Sequence, residues 1–206
     1  MDSTESTGVV VSKESLLKKK VLSFYKNKEN LNTFLSIILQ KTRLSLRSID
    51  WFVTNYCKKY NINYSIKNNN ESLTYFPFKA YKLQLKAYSK KFCEPFCRRE
   101  RVIFDYKNNK IIDYSNIPKD INENNDDYII TTIGQLNFFK FAIQDKIIDY
   151  ALENINSIES DMNNTLKNRE NEKKFMKVES IKRKELSVPG NKSVHITRVS
   201  AIIKFT

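Results

Sequence analysis

Apolar residues recur along this chain at helical spacing first and at strand spacing later. After a polar, small-residue stretch over 1–12, expected to be disordered, Leu17, Val21 and Phe24 follow one another at intervals of four and three. That spacing predicts a basic amphipathic helix over 13–27. LNTFLSIILQ at 31–40 predicts a short apolar helix. Ser45 is placed to cap a further helix, because its hydroxyl can accept from a free first-turn N–H. Ile49, Phe52, Val53, Tyr56 and Cys57 then form that helix's apolar stripe. The short connection around 41–45 makes a helical hairpin, an arrangement shared by helix-turn-helix modules and by ordinary helical cores.

Beyond residue 61 the pattern changes. INYSI predicts a strand at 62–66, NNNES at 68–72 a turn, and LTYFPF at 73–78 an extended stretch, since Pro77 disfavours helix before it. AYKLQLKAYSKK returns to helical spacing. RRERVIFDY then enters a strand in which Val102 and Phe104 alternate with Ile103 and Asp105, and Asn108–Asn109 turns the chain into KIIDYS. Residues 116–127 read as a polar loop and YIITT at 128–132 as a strand. Thr132 and Gln135 have the spacing of a capping box. A long helix is expected over 133–161, with a break near Asp145. Residues 163–192 are charged and weakly periodic, an arm that is either helical or flexible, and SVHITRVSAII predicts a final edge strand at 193–203.

The fold class expected is therefore α+β: N-terminal helices, one small mixed or antiparallel sheet, one long helix in the C-terminal half and a final edge strand. The domain boundaries expected are 1–12 disordered, 13–162 a single domain, 163–192 an arm and 193–206 a strand packing on the domain. The chain's 206 residues suit such a size, and only 3 Gly and 4 Pro argue against a turn-rich sandwich or barrel.

Charge alters the picture more than size does. The net formal charge is +13, which suits a polyanionic partner, because cations that neutralise phosphates release counterions. The 28 Lys, 8 Arg and 23 Asn are also what an AT-rich genome encodes by default, so the distribution says more than the total. Residues 79–101 carry a net +6 and 162–206 a net +7, whereas 113–127 and 145–161 are each −4. The three cysteines and the polar N-terminus suit a reducing compartment. No apolar run approaches the ~20 residues that a membrane-spanning helix needs.

Three blocks, SLRSIDWFVTNYCKKYN at 45–61, YKLQLKAYSKKFCEPFCRRERVIF at 81–104 and YIITTIGQLNFFKFAIQDKIIDY at 128–150, resemble an uncharacterised protein family of large amoeba-infecting DNA viruses of the mimivirus and marseillevirus kind. The resemblance covers roughly residues 30–165. It implies a protein made in infected host cytoplasm, at the viral factory, and packaged in the virion in some cases. It carries no activity or site residue to transfer.

Of the candidate sites, AYSKKFCEPFCRRER is the strongest. It interleaves Tyr88, Phe92 and Phe96 with Lys90, Lys91, Arg98, Arg99 and Arg101, and Lys86 stands immediately before it; the nucleic-acid contacts expected are Lys86, Lys90, Lys91, Arg98, Arg99, Arg101, Tyr88 and Phe92. Aromatic faces stack on unpaired bases while Lys and Arg hold phosphates; equally, such aromatics can be core and the cations a wet face. Alternation sends Arg99 and Arg101 to one side of the incoming strand and Arg98 to the other, there to pair with Glu94 or Glu100. A zinc site would need Cys57, Cys93, Cys97 and the single His195, with no paired spacing to support it. A Mg²⁺-dependent nuclease could use Asp105, Asp113, Asp126 and Asp127, although acidic loops are ordinarily just solvated. With Gly8, Gly134 and Gly190 alone, no phosphate-binding Gly-rich loop can be built. Trp51 is expected in the core, and Phe138, Phe139, Phe141 and Ile143 are expected to be buried between two layers or in a homodimer. The sequence thus points to a non-enzymatic binding protein with no metal or cofactor. Nucleic acid is the expected partner, DNA ahead of RNA, and a virion or interaction protein that meets an acidic partner is the alternative.

Overall fold

The computed structural model describes residues 12–68, 71–116 and 127–179. Helix α1 (Lys13–Tyr25) starts where the Ser12 hydroxyl accepts from the Ser15 N–H at 3.1 Å. It buries Leu17, Val21 and Tyr25. Tyr25 takes the inward place expected of Phe24 because it continues the interval of four and because its hydroxyl donates to the Leu136 carbonyl at 2.8 Å. Asn27 caps α2 (Lys28–Ile38), which buries Phe34 and Ile37.

Ser45 caps α3 (Leu46–Trp51), its hydroxyl accepting from the Ser48 N–H at 3.0 Å. The helix then widens into a π-helical turn over Phe52–Tyr56 before closing as α4 (Cys57–Lys59). Thr54 supplies a local reason, since its hydroxyl donates to the Asp50 carbonyl at 2.7 Å and competes with the regular backbone bond. Ile49, Phe52, Val53 and Cys57 are buried as the stripe predicts.

The strands do not form one sheet. β1 (Tyr64–Asn68) and β2 (Glu71–Tyr75) pair only with each other, while β3 (Arg101–Asp105) lies between β4 (Lys110–Asp113) and β5 (Tyr128–Thr132) in a separate antiparallel sheet. The first hairpin is drawn instead to the end of α6 (Ile133–Gln144). There the Tyr64 hydroxyl donates to the Asp145 carbonyl at 2.6 Å and the Tyr75 hydroxyl donates to the Asp145 carboxylate. Helix α5 (Pro77–Tyr88) follows, opening on Pro77, which is tolerated at a first helical position. The alternation expected in β3 fails, because Val102, Ile103 and Phe104 are all buried. A central strand covered on both faces has no wet side.

Helix α6 is buried on most of its circumference, with Leu136, Asn137, Phe138, Phe139, Phe141 and Ala142 all inside. Phe139 meets Phe34 edge-on at 5.0 Å and Tyr81 meets Phe138 at 5.8 Å, so the helix is wrapped by aromatic side chains from α2 and α5. Burial within one chain accounts for its many apolar faces without a second copy. Only half of the expected capping box forms. Thr132 accepts from the Gln135 N–H at 3.1 Å, but the Gln135 side chain accepts from the Thr131 hydroxyl at 2.5 Å rather than reaching back to the cap.

The expected break falls at Asp145, followed by Lys146 at φ 57, and a second break at Asn154 separates α7 (Ile147–Glu153) from α8 (Ile155–Glu179). Asp161 on α8 is 8% exposed and accepts from Trp51 Nε1 at 3.1 Å, Lys59 Nζ at 2.5 Å and the Tyr60 hydroxyl at 3.0 Å. Trp51 is accordingly a half-buried anchor for α8 rather than a fully enclosed core residue.

Residues 1–163 form one compact unit and 164–206 another, and of the second the described part is α8 up to Glu179, which is helical. Residues 1–11, the acidic loop over 117–126, the arm beyond 179 and the final strand at 193–203 lie outside the described residues. Among the described residues, no helix is long and apolar enough to cross a membrane.

Candidate nucleic-acid interface

The basic segment is seated on the first turns of α6. Ser89 at φ 61 ends α5, Lys90–Phe92 make a 3-10 turn, and Cys93 and Pro95 go into the interior. Burial pushes the Cys93 thiol up, which makes it inert. Two contacts fix the turn. The Asn137 side-chain amide donates to the Phe92 carbonyl at 2.8 Å. Gly134 lets the turn approach so closely that a Cβ there would lie 2.6 Å from the Lys91 carbonyl oxygen.

This seating sorts the expected site residues. Tyr88 and Phe92 are half-buried and pack on the core, which removes their faces from a stacking role. Lys91 pairs with Glu100 at 2.5 Å and lies 4.8 Å from the Phe92 ring centroid, so it is held inward. Lys86, Lys90, Arg98, Arg99 and Arg101 are exposed. None of these five is in an ion pair among the described residues. The expected pairing of Arg98 with Glu94 or Glu100 is not what occurs. Glu100 takes a φ of 55, which breaks the alternation assumed for 98–101 and turns its carboxylate to Lys91 instead.

The aromatic that does reach solvent is Phe96, 48% exposed. It borders an open cleft of about 410 Å³ between the 95–98 loop and β5, together with Arg98, Arg101, Ile130, Thr131 and Gln135. The register places Arg101 opposite Thr132 and Ile103 opposite Ile130, so Arg101 and Ile130 share one sheet face. The β5 and α6 side of the cleft was not legible as a site in the sequence. Its one available signal is the apolar Ile130 inside a short strand, and only the strand pairing shows that Ile130 faces out.

Further clefts lie elsewhere on the surface. On the far side of Arg101, a space of about 570 Å³ is lined by Glu14, Lys18, Glu100 and Asp113, and Lys18 is already bound to Glu14 at 3.0 Å and to Asp113 at 3.5 Å. Near α5, a smaller space of about 250 Å³ holds Asp50, Glu94, Lys82 and Lys90. Burial, reinforced by the charge of Glu94, pushes the Asp50 carboxyl up to about 6.

Three of the four carboxylates considered for metal chemistry, Asp105, Asp113 and Asp127, are occupied elsewhere. Asp105 accepts from the Asn108 backbone at 2.9 Å and side chain at 2.8 Å, which ties the β3–β4 turn. Asp113 meets Lys18, and Asp127 pairs with Lys107 at 2.9 Å. Cys57 and Cys93 are buried, and Asp126 and His195 lie outside the described residues. Among the described residues, no three His, Cys, Asp or Glu side chains are grouped to hold a metal ion.

Comparison with known proteins gives origin without activity. The chain is 35% identical over 171 residues to "Uncharacterized protein L507" of Acanthamoeba polyphaga mimivirus, an alignment covering 82% of this chain and 61% of that relative. This chain thus spans less than two thirds of the relative's length. No solved structure matches the chain significantly. The model of a family of unknown function, DUF7197, matches residues 3–200. That family match over nearly the whole chain, with a mimivirus protein as a relative, bears out the expected viral resemblance, and the chain belongs to the DUF7197 family.

Proposed function

We propose that this protein binds nucleic acid without transforming it, and that it serves genome packaging, organisation or transcription in a large DNA virus. The carrying observation is the group of exposed cations, Lys86, Lys90, Arg98, Arg99 and Arg101, none of them ion-paired among the described residues, on a segment clamped to α6. Cations that served only to balance the protein's own acids would be paired with them. Rigid backing matters too, since a contact surface held in place loses little entropy on binding. DNA is the expected form, with the work done in host cytoplasm at the viral factory and with carriage in the virion as a further expectation. Charge on the chain beyond residue 162 would add non-specific affinity.

The test is a salt-dependent titration of labelled DNA against the parent and an Arg99→Ala/Arg101→Ala double variant. Both side chains are exposed, so the melting temperature should stay nearly unchanged. Affinity should fall, and the slope of log affinity on log salt should lessen by about 1–2. A parent that fails to bind at low salt refutes the proposal. A double variant that binds as the parent does refutes the assignment of this surface, and an acidic protein partner then becomes the better reading.

A further inference from the structure

We infer that the cleft between the 95–98 loop and β5 receives an unpaired nucleotide, so that the protein prefers single-stranded nucleic acid to duplex. The inference rests on the nucleic-acid reading above and specifies the form bound.

Three features of the cleft combine. Phe96 is an apolar ring left half in water, while its neighbours Phe92 and Tyr88 were folded inward. An exposed ring beside cations offers any base a stacking face. Arg98 and Arg101 line the same cleft and supply positive charge for the phosphate of a nucleotide whose base meets Phe96. The volume of about 410 Å³ lies within the range of roughly 300–1,000 Å³ typical of small-molecule sites, which is a nucleotide's scale rather than a helix's groove.

The polar wall is suited to a base edge. The Gln135 carbonyl oxygen accepts from the Thr131 hydroxyl at 2.5 Å, which fixes the side-chain amide. Its amide nitrogen makes no hydrogen bond to a described residue and is a donor for a base carbonyl or ring nitrogen. Gln135 belongs to the first turn of α6, a 12-residue helix whose positive end adds attraction for phosphate. A duplex cannot use this arrangement. Its bases are stacked on one another, and bringing one to Phe96 requires unpairing it first.

The experiment compares fluorescence anisotropy of a labelled 15-nucleotide oligo-dT with that of a labelled 15-base-pair duplex, at one low salt concentration, for the full chain. The parent should bind the single strand at least tenfold more tightly. Phe96→Leu keeps the apolar volume but loses the aromatic face, and should weaken single-strand binding roughly tenfold with duplex binding and melting temperature unchanged. Phe96→Trp should restore or exceed parent affinity. Equal or tighter binding of duplex by the parent overturns the inference, as does a Phe96→Leu variant that binds the single strand as the parent does. Either result leaves general nucleic-acid binding standing. Failure to bind either form at low salt overturns both.

Discussion

Gly134→Ala is expected to unseat the basic turn, and the structure sets the size of the effect. A Cβ on residue 134 would lie 2.6 Å from the Lys91 carbonyl oxygen and 3.2 Å from that of Glu94. Both are backbone atoms, so no side chain can rotate away. The Lys91 carbonyl must retreat by about 0.8 Å to reach ordinary contact. Overpacking of this kind costs ~1–3 kcal/mol. The same retreat lengthens the Asn137–Phe92 hydrogen bond, now 2.8 Å, which contributes about 1 kcal/mol. Alanine's better helix propensity returns up to about 1 kcal/mol. The net expectation is a loss of about 1–3 kcal/mol, which in a domain of this size lowers the melting temperature by roughly 2–12 °C. Circular dichroism melting measures it. A thiol reagent gives the local readout, because Cys93, 0% exposed in the parent, should react faster once the turn lifts. A melting temperature equal to or above the parent's, with Cys93 still protected, would refute the argument that close approach at Gly134 seats the site.

Asp161→Ala should lower stability by about 1–3 kcal/mol in urea unfolding, because it removes the buried acceptor of the Trp51 Nε1–H bond and loosens α8. A loss below about 1 kcal/mol would show that apolar packing of Ile155 and Ile158 alone holds that helix. Asp50 gives a pH signature: its folded carboxyl, raised by burial to about 6, stays protonated where the unfolded one, at about 4, has ionised. Stability contributed by this group is therefore complete below pH 4 and declines as pH rises towards 6. Its partial exposure, with Lys82 and Lys90 on the same cleft, reduces the effect to about 1–2 kcal/mol. Asp50→Asn should be more stable than the parent at pH 7 and no more stable at pH 4. An identical difference at both values would show that Asp50 does not titrate in this window.

Local chemistry alone determined much of this protein. Ser12, Ser45 and Thr132 each cap a helix because a short side-chain oxygen finds a free N–H three residues on, a geometry that needs no distant partner. Asn109 turns the β3–β4 hairpin at φ 50, a conformation asparagine tolerates. The apolar stripes of α1 and of the α3–α4 segment were legible for the same reason.

Tertiary structure decided the rest. Pairing between strands depends on what else competes for them, so only the folded chain shows Tyr64 and Tyr75 drawn to Asp145 and their hairpin excluded from the larger sheet. The basic segment makes the same point at the site. Phe92 and Phe96 are the same letter, and so are Lys90 and Lys91. Gly134 and Asn137, some forty residues away, bring the turn down on α6 and send Phe92 inward. Glu100, at a left-handed φ, takes Lys91 out of play and leaves Arg98 and Arg101 beside Phe96. Composition shows that the segment is basic and aromatic. Which of those groups meet solvent together depends on long-range packing, because burial belongs to the neighbours a residue acquires and not to the residue itself.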